Sequence, residues 1–242
     1  MTEQKTLLEH AYHWEKTTPA RVFLTQPVGP GNVKDYTFAD VMGQARRMAS
    51  YLRSLKLEPG SSIAICSKNC AHWIMADLAI WMAGHRSIPV YPILTQEITR
   101  HVLEHSEARL LFVGKLDPVW DGQMKDGVPK GLPQIAFPLA PPSASGLDKW
   151  DDVVAKQQPL QVAVDRSADE VATIIYTSGS TGVPKGALLT FGAMLGPCEG
   201  LQKILSLQPD DRYLSYLPIA HSMERWLGEC MALYAGHHIF YA

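Results

Sequence analysis

The stretch SSIAICSKNCAHWIMADLAIWMAGHRSIPVY, residues 61–91, predicts a strand, a helix and a second strand in succession. Residues 62–67 and 87–91 are short, almost continuously apolar runs, which are typical of strands covered on both faces. Residues 70–83 between them are apolar on every side, as in a buried helix. This segment contains Asp77 and is shorter than the roughly 18 uncharged residues of a membrane span, so we expect it inside a globular core.

The same alternation continues downstream, with a helix over Gln96–His105 that Thr95 can cap and a strand at 110–113. Strand, helix, strand, helix and strand in this order predict an α/β fold with a parallel sheet and helices on its faces. The other predicted elements are strands at 21–26 and 33–38, a helix after Thr37 with Asp40 completing a capping box, strands at 171–176 and 186–189, a helix from Thr190 to 205, a strand at 213–217, a helix at 223–234 and a strand at 239–241.

Residues 117–163 interrupt this pattern. They hold seven of the 17 prolines, and no regular apolar period runs through them. We predict a long irregular surface excursion with one short helix near 150–156.

The composition excludes several classes of protein. The 242 residues are 46% hydrophobic and 19% charged, which is ordinary for a globular chain. Lys plus Arg is 22 and Asp plus Glu is 24, so the net charge of 22 − 24 = −2 argues against a nucleic-acid partner. Four scattered cysteines are expected to be reduced thiols of a cytoplasmic protein. The N-terminus lacks the apolar core of a signal peptide, and we expect no transmembrane segment.

Residues 176–186, YTSGSTGVPKG, are the segment most indicative of chemistry. Four hydroxyl residues and two glycines occupy 177–182, and Lys185 follows. Glycines let the backbone approach a ligand closely, and hydroxyls, backbone N–H groups and a lysine together suit phosphate oxygens. We therefore predict a polyphosphate cradle between two strands. The segment is neither a Walker A loop, which needs G-x-x-x-x-G-K-[ST], nor a G-x-S-x-G nucleophile elbow.

This loop resembles the signature of the AMP-forming adenylating enzymes, which include acyl-CoA synthetases, luciferases and peptide-synthetase adenylation domains. The resemblance extends to residues 73–79, to Gly84 with 89–92, and to 217–225, LPIAHSMER. The His-x-x-Glu-Arg form of the last segment is similar to long-chain fatty acyl-CoA synthetases.

The resemblance implies a two-step reaction. A carboxylate attacks the α-phosphate of Mg-ATP to give an acyl-adenylate and pyrophosphate, and the thiol of coenzyme A then displaces AMP. Lys185 and His221 would be catalytic, with His221 orienting the carboxylate, and Thr177 would also lie near Mg²⁺. The residues expected to hold the β- and γ-phosphates are Thr177, Ser178, Gly179, Ser180, Thr181, Gly182 and Lys185.

The family architecture implies that this chain is the N-terminal portion of an AMP-binding domain. Residues 56–190 would form a nearly complete α/β subdomain, while 1–55 and 191–242 would belong to an incomplete second one. The apolar strand at 239–241 suggests that the natural protein continues past Ala242, and the resemblance implies that the continuation includes a C-terminal lid domain. We expect the chain alone to fold, to expose apolar surface that favours self-association, and to be inactive.

Other interpretations stay open at this point. Residues 101–105, HVLEH, formally match the zinc-peptidase pattern H-x-x-E-H, but no third ligand is evident and we expect a solvated helix face. Trp226 fits the wall of an acyl channel or the core equally well. The fatty acid is the favoured substrate and would permit peripheral contact with the inner face of a membrane. An aryl-CoA ligase, an adenylation domain and a non-catalytic nucleotide-binding module are the alternatives.

Overall fold

The computed structural model describes residues 5–178 and 182–242, which are organised around two β-sheets. The strands are β1 (Val22–Gly29), β2 (Asn32–Thr37), β3 (Ser62–Cys66), β4 (Arg86–Val90), β5 (Ala108–Val113), β6 (Gln134–Ala136), β7 (Asp148–Lys149), β8 (Val171–Ser178), β9 (Pro184–Thr190), β10 (Arg212–Ser215) and β11 (His238–Tyr241). The α-helices are α1 (Leu7–Thr17), α2 (Phe38–Ser54), α3 (Ala71–Met82), α4 (Gln96–His105), α5 (Trp150–Ala155), α6 (Phe191–Leu205), α7 (Ser222–Glu224) and α8 (Met231–Ala235). Other helical segments are π-helical at Trp120–Met124 and Arg225–Cys230 and 3-10 helical at Lys125–Gly127 and Pro142–Ala144.

The larger sheet has seven strands in the order β7-β6-β5-β3-β4-β8-β9. Neighbouring strands pair in parallel from β7 to β8, and β9 is antiparallel to β8. The predicted α/β fold with a parallel sheet is therefore confirmed. The carboxyl ends of its parallel strands face one edge, the place where open α/β sheets bind ligands.

The smaller sheet combines two strands from the N-terminal part of the chain with two from the C-terminal part, in the order β10-β11-β1-β2. The strands predicted at 21–26 and 33–38 are β1 and β2, which pair in an antiparallel hairpin. β11 pairs in parallel with β1 and places Leu24 opposite Ile239. The assignment of residues 1–55 and 191–242 to one subdomain, and of 56–190 to another, stays a prediction.

The excursion at 117–163 is more regular than the sequence predicted. β6 and β7 extend the parallel sheet beyond β5, and the indoles of Trp120 and Trp150 are buried. The expectation of an irregular segment was wrong here because strands of three and two residues are too short to show a period, and pairing with β5 specifies them. The short helix near 150–156 is confirmed as α5.

Helix α3 lies at the centre of the core. All twelve of its residues are buried, and it packs against α2 and against strands of both sheets. This burial explains why the segment is apolar on every side. Within residues 5–178 and 182–242, no helix combines the length and apolar character that a membrane span requires.

The predicted helix starts are confirmed. Thr37 and Asp40 form a reciprocal capping box at α2, and Thr95 and Thr190 each accept a backbone hydrogen bond at the starts of α4 and α6. These caps satisfy donors that the first turn of a helix leaves without partners. The four cysteines are buried free thiols, as predicted.

His72 is a buried histidine in an aromatic environment on α3. Its ring lies 5.9 Å from the ring centroid of Tyr36, 5.7 Å from Phe137 and 5.6 Å from Trp150. Burial lowers the pKa of His72 to about 3, and the positive charge of Lys34 acts in the same direction. The folded protein therefore holds this imidazole neutral.

Replacing His72 by phenylalanine is expected to weaken the pH dependence of stability. Because the unfolded imidazole titrates near 6.5, the unfolded state binds more protons than the folded state between pH 6.5 and about 3. In that window His72 costs about 1.4 kcal/mol of unfolding free energy per unit decrease in pH. The unfolding free energy is measured with urea at pH 7 and at pH 5. The difference between these two values is expected to be smaller in His72→Phe than in the unsubstituted chain. Substitution of the exposed His13 by phenylalanine serves as the control. Equal pH dependence in the unsubstituted chain, His72→Phe and His13→Phe would contradict a neutral, buried His72.

Candidate active site

Strands β8 and β9 form a hairpin that carries the Ser/Thr/Gly-rich loop. Thr177 pairs with Lys185 and Ser178 with Pro184, and Gly182 has a φ of 80°, which favours glycine. Outside the described residues lie the predicted ligands Gly179, Ser180 and Thr181, together with the side chain of Ser178. The phosphate cradle therefore stays a prediction, but its two strands are in place.

Thr177 and Lys185 face each other across this hairpin. Residues directly opposite in an antiparallel pair project from the same face, so the hydroxyl and the ammonium group lie on one side. Both residues are exposed. The arrangement can present one hydroxyl and one positive charge to the same anion.

The two ends of the motif also meet across the strands, because Tyr176 pairs with Gly186. A Cβ atom at position 186 would lie 2.7 Å from Cγ2 of Ile174 and 3.3 Å from Cζ of Tyr176. Glycine is therefore required here to let the Tyr176 ring lie over β9.

The two histidines of α4 contact this hairpin. Nε2 of His101 is 3.0 Å from the carbonyl oxygen of Pro184, and Nδ1 of His105 is 2.7 Å from the hydroxyl of Tyr176. Glu104 and His105 are exposed, in agreement with the expected solvated face, whereas His101 is half-buried because the parallel sheet brings β8 beside β4 and places α4 next to β9. Among the described residues, no group of three His, Cys, Asp or Glu side chains is arranged to hold a metal ion.

A cavity of about 310 Å³ lies between the hairpin and the loop that carries His221. Three of the predicted site residues line it, namely Thr177, Gly182 and His221. The other lining residues are Pro89, Val90, Tyr91, Leu94, Ile98, Val102, Tyr176 and Pro184. The sequence interpretation did not assign α4 to the site, although the amphipathic spacing of its apolar residues was a usable signal. Two segments forty residues apart thus meet at one cavity.

His221 is exposed and precedes helix α7 as its N-cap. The backbone N–H of Met223 donates to Nδ1 of His221 over 3.2 Å. Nδ1 must therefore be unprotonated, and the neutral imidazole carries its proton on Nε2. That N–H can donate to an anionic oxygen in the cavity, and the ring centroids of His221 and Tyr91 lie 6.5 Å apart in an edge-to-face arrangement.

The Glu and Arg of the His-x-x-Glu-Arg segment are buried instead of facing the cavity. Glu224 accepts hydrogen bonds from the hydroxyls of Ser215 at 2.6 Å and Tyr213 at 2.8 Å. Burial raises the pKa of Glu224, and these two bonds oppose the shift. Arg225 pairs with Asp77 of α3, and Trp226 packs against the main core. Of the histidine, glutamate and arginine of this segment, only His221 lines the cavity.

Replacing Gly186 by alanine is expected to destabilise the hairpin by about 1–3 kcal/mol, the usual cost of overpacking. The added methyl group would displace Ile174 and Tyr176. Urea unfolding measures the loss. The matched control is Gly196→Ala in α6, where an added Cβ meets no atom within 4 Å. If both variants are equally stable, the close approach at Gly186 does not constrain the hairpin.

Comparison with known proteins places this chain in a family. The family model described as AMP-binding enzyme matches residues 11–242. The long-chain-fatty-acid–CoA ligase FadD15 of Mycobacterium bovis is 32% identical over 79% of this chain and 32% of its own length. Fatty acyl-CoA synthetase A of Dictyostelium discoideum is 29% identical over 88% of this chain and 33% of its own length. The chain spans about a third of the length of these curated relatives.

Solved structures share the fold. A benzoate CoA ligase from Burkholderia xenovorans superimposes with a TM-score of 0.83 at 19% identity, over 99% of this chain and 46% of that one. The anthranilate CoA ligase AuaEII, in complex with anthranoyl-AMP, gives a TM-score of 0.85 at 17% identity, over 99% of this chain and 45% of that one. With a family model that covers nearly the whole chain, this chain belongs to the AMP-binding enzyme family.

Proposed function

We propose that the natural protein containing this chain is an AMP-forming ligase that joins a fatty acid to coenzyme A. The observation that carries the proposal is the cavity at which Thr177 and Gly182 of the loop meet His221. The names of the similar proteins, long-chain-fatty-acid–CoA ligase and fatty acyl-CoA synthetase, support a fatty acid as the substrate.

The hairpin would bind the polyphosphate of Mg-ATP, with Mg²⁺ arriving as part of that substrate. Lys185 and the loop from Thr177 to Gly182 would hold the β- and γ-phosphates, and the hydroxyl of Thr177 would lie near the ion. Negative charge builds up on pyrophosphate as it leaves, so fixed donors there stabilise the transition state more than the ground state.

His221 would bind the carboxylate of the acid. Its Nε2–H can donate to one carboxylate oxygen, which leaves the other oxygen free to attack the α-phosphate. The bond formed is between the carboxylate oxygen and phosphorus, and the bond broken is the one from the α-phosphate to pyrophosphate. The sulfur of coenzyme A then attacks the acyl carbon of the adenylate and releases its proton to solvent. The carbon–oxygen bond to the phosphate breaks, so AMP leaves with the former carboxylate oxygen and the thioester remains.

The 242 residues alone are proposed to be inactive, because orientation of reactants supplies roughly 7–11 kcal/mol of a barrier and needs a complete site. We also propose that residues 56–190 form one subdomain and that the chain alone exposes apolar surface and self-associates. A cytoplasmic location with peripheral membrane contact would suit a fatty acid substrate.

The test is pyrophosphate exchange into ATP by the natural gene product that contains residues 1–242. Palmitate, octanoate, benzoate and a mixture of amino acids are supplied separately, and exchange is expected with the fatty acids. Exchange with benzoate or amino acids alone would overturn the fatty acid assignment, and no exchange with any acid would favour a non-catalytic module. Residues 1–242 with Mg-ATP, palmitate and coenzyme A are expected to release no more AMP than their Lys185→Ala variant.

A further inference from the structure

Asn69 links the larger sheet to the loop that carries His221. It follows β3 at the carboxyl end of that strand, and its side chain is buried. Nδ2 donates to the carbonyl oxygen of Leu217 at 2.6 Å and to Oγ of Ser215 at 2.8 Å. Oδ1 accepts from the backbone N–H of Ile219 at 2.9 Å.

These contacts use both donors of the amide and its acceptor. A flipped amide would place Nδ2 against the N–H of Ile219 and Oδ1 against the carbonyl of Leu217, so the network admits one orientation. Pro218 lies between these two residues and has no N–H of its own to anchor the turn. One side chain therefore holds the backbone on both sides of Pro218.

The same turn continues directly into His221. The N–H of His221 donates to the carbonyl oxygen of Pro218 at 2.8 Å, so the position of the histidine depends on the turn. Ser215, which accepts from Asn69, donates to Glu224 on the far side of His221. The loop is thus anchored before and after the histidine, and Asn69 contributes the anchor from the other sheet.

We propose that Asn69 is a positioning residue for His221, which rests on the function proposed above. It holds the 217–219 turn so that Nε2–H of His221 points at the carboxylate of the acid. Asn69 itself does not line the cavity that holds Thr177 and His221. Asn69 lines a neighbouring cavity that shares Tyr91 with the first, and its hydrogen bonds go to the 215–219 segment and not to the phosphate hairpin. We therefore expect it to act on the acid through the turn and the histidine.

The first test follows the loop in the 242-residue chain itself, without any activity. In Asn69→Ala, hydrogen exchange at the Ile219 amide is expected to rise about two- to twelvefold, the equivalent of one lost hydrogen bond. The ¹⁵N shifts of His221 are expected to move away from the pure Nε2–H tautomer. The near-isosteric Asn69→Asp removes both donors and keeps the acceptor, so it perturbs Leu217 while leaving the Ile219 amide protected. Unchanged exchange and unchanged His221 shifts in Asn69→Ala overturn the proposal.

The second test measures steady-state kinetics of the natural gene product. In Asn69→Asp, kcat/KM for the acid is expected to fall about 10- to 100-fold, the range for a reacting group displaced by about 1 Å. KM for ATP is expected to stay within a factor of about two, because the hydrogen bonds of Asn69 go to the 215–219 segment and not to the hairpin. Asn32→Asp, on the exposed β1–β2 turn, makes the same charge change and controls for it. Equal losses for acid and ATP overturn the positioning role. Absence of ligase activity in the unsubstituted protein contradicts the proposed function and leaves the exchange and ¹⁵N measurements to decide on Asn69.

Discussion

The Lys185→Ala variant of the natural protein is expected to catalyse pyrophosphate exchange about 10- to 1,000-fold more slowly than the unsubstituted protein, the range for loss of one charge-stabilising donor. The reason lies in the hairpin, where Lys185 is exposed directly opposite Thr177. A single ammonium beside the loop would neutralise charge as pyrophosphate leaves. The measurement is exchange of labelled pyrophosphate into ATP at saturating fatty acid.

Two variants control for this experiment. Lys203→Ala removes an exposed lysine from α6 and is expected to leave exchange unchanged. Lys185→Arg keeps the charge but changes its shape, so a partial loss is expected. Full exchange in Lys185→Ala, with the fold intact by circular dichroism, would contradict the phosphate role of this lysine.

Local signals in the sequence predicted much of the fold. Helix α3 is apolar on every side and is fully buried, and threonine caps mark the starts of α2, α4 and α6. These features depend on residues a few positions apart, which the sequence displays directly. The short strands β6 and β7 were missed because pairing with β5, and not local pattern, specifies them.

The candidate site likewise has features that the local sequence predicted and features that depend on distant segments. The motif 176–186 predicted a loop between two strands, and the structure confirms the flanking hairpin. The meeting of this hairpin with His221 depends on two sheets packing together, and no periodicity reports that. Asn69 gave no signal at all, because a single asparagine after a strand resembles an ordinary turn residue. Its role is visible from the three hydrogen bonds that it makes across the sheets.

A buried charge pair joins the His221 segment to the central helix. Arg225 and Asp77 form an ion pair in which both side chains are buried, and Nη2 of Arg225 also donates to Oγ of Ser87 at 3.1 Å. Glu229 lies 3.8 Å from Nε of Arg225. Burial raises the pKa of Glu229 well above its usual range, and the negative charge of Asp77 adds to the shift. The ionised form of Glu229 is therefore disfavoured, while Arg225 and Asp77 form the buried ion pair of the cluster.

Replacing Arg225 by methionine is expected to lower the unfolding free energy by about 3–5 kcal/mol, because it leaves the Asp77 carboxylate buried without a partner. The double variant Arg225→Met with Asp77→Leu removes both charges and is expected to recover most of that loss, since apolar replacements of a buried pair are often neutral. Urea unfolding of Arg225→Met, Asp77→Leu, the double variant and the unsubstituted chain gives a double-mutant cycle, which measures the interaction energy between the two side chains. A single variant as stable as the original chain, or a double variant no better than Arg225→Met, would show that the charges do not depend on each other. Arg225 follows His221 by about one helical turn. A double variant with recovered stability would therefore show whether the position of His221 depends on the charge pair itself and not on the stability of the fold.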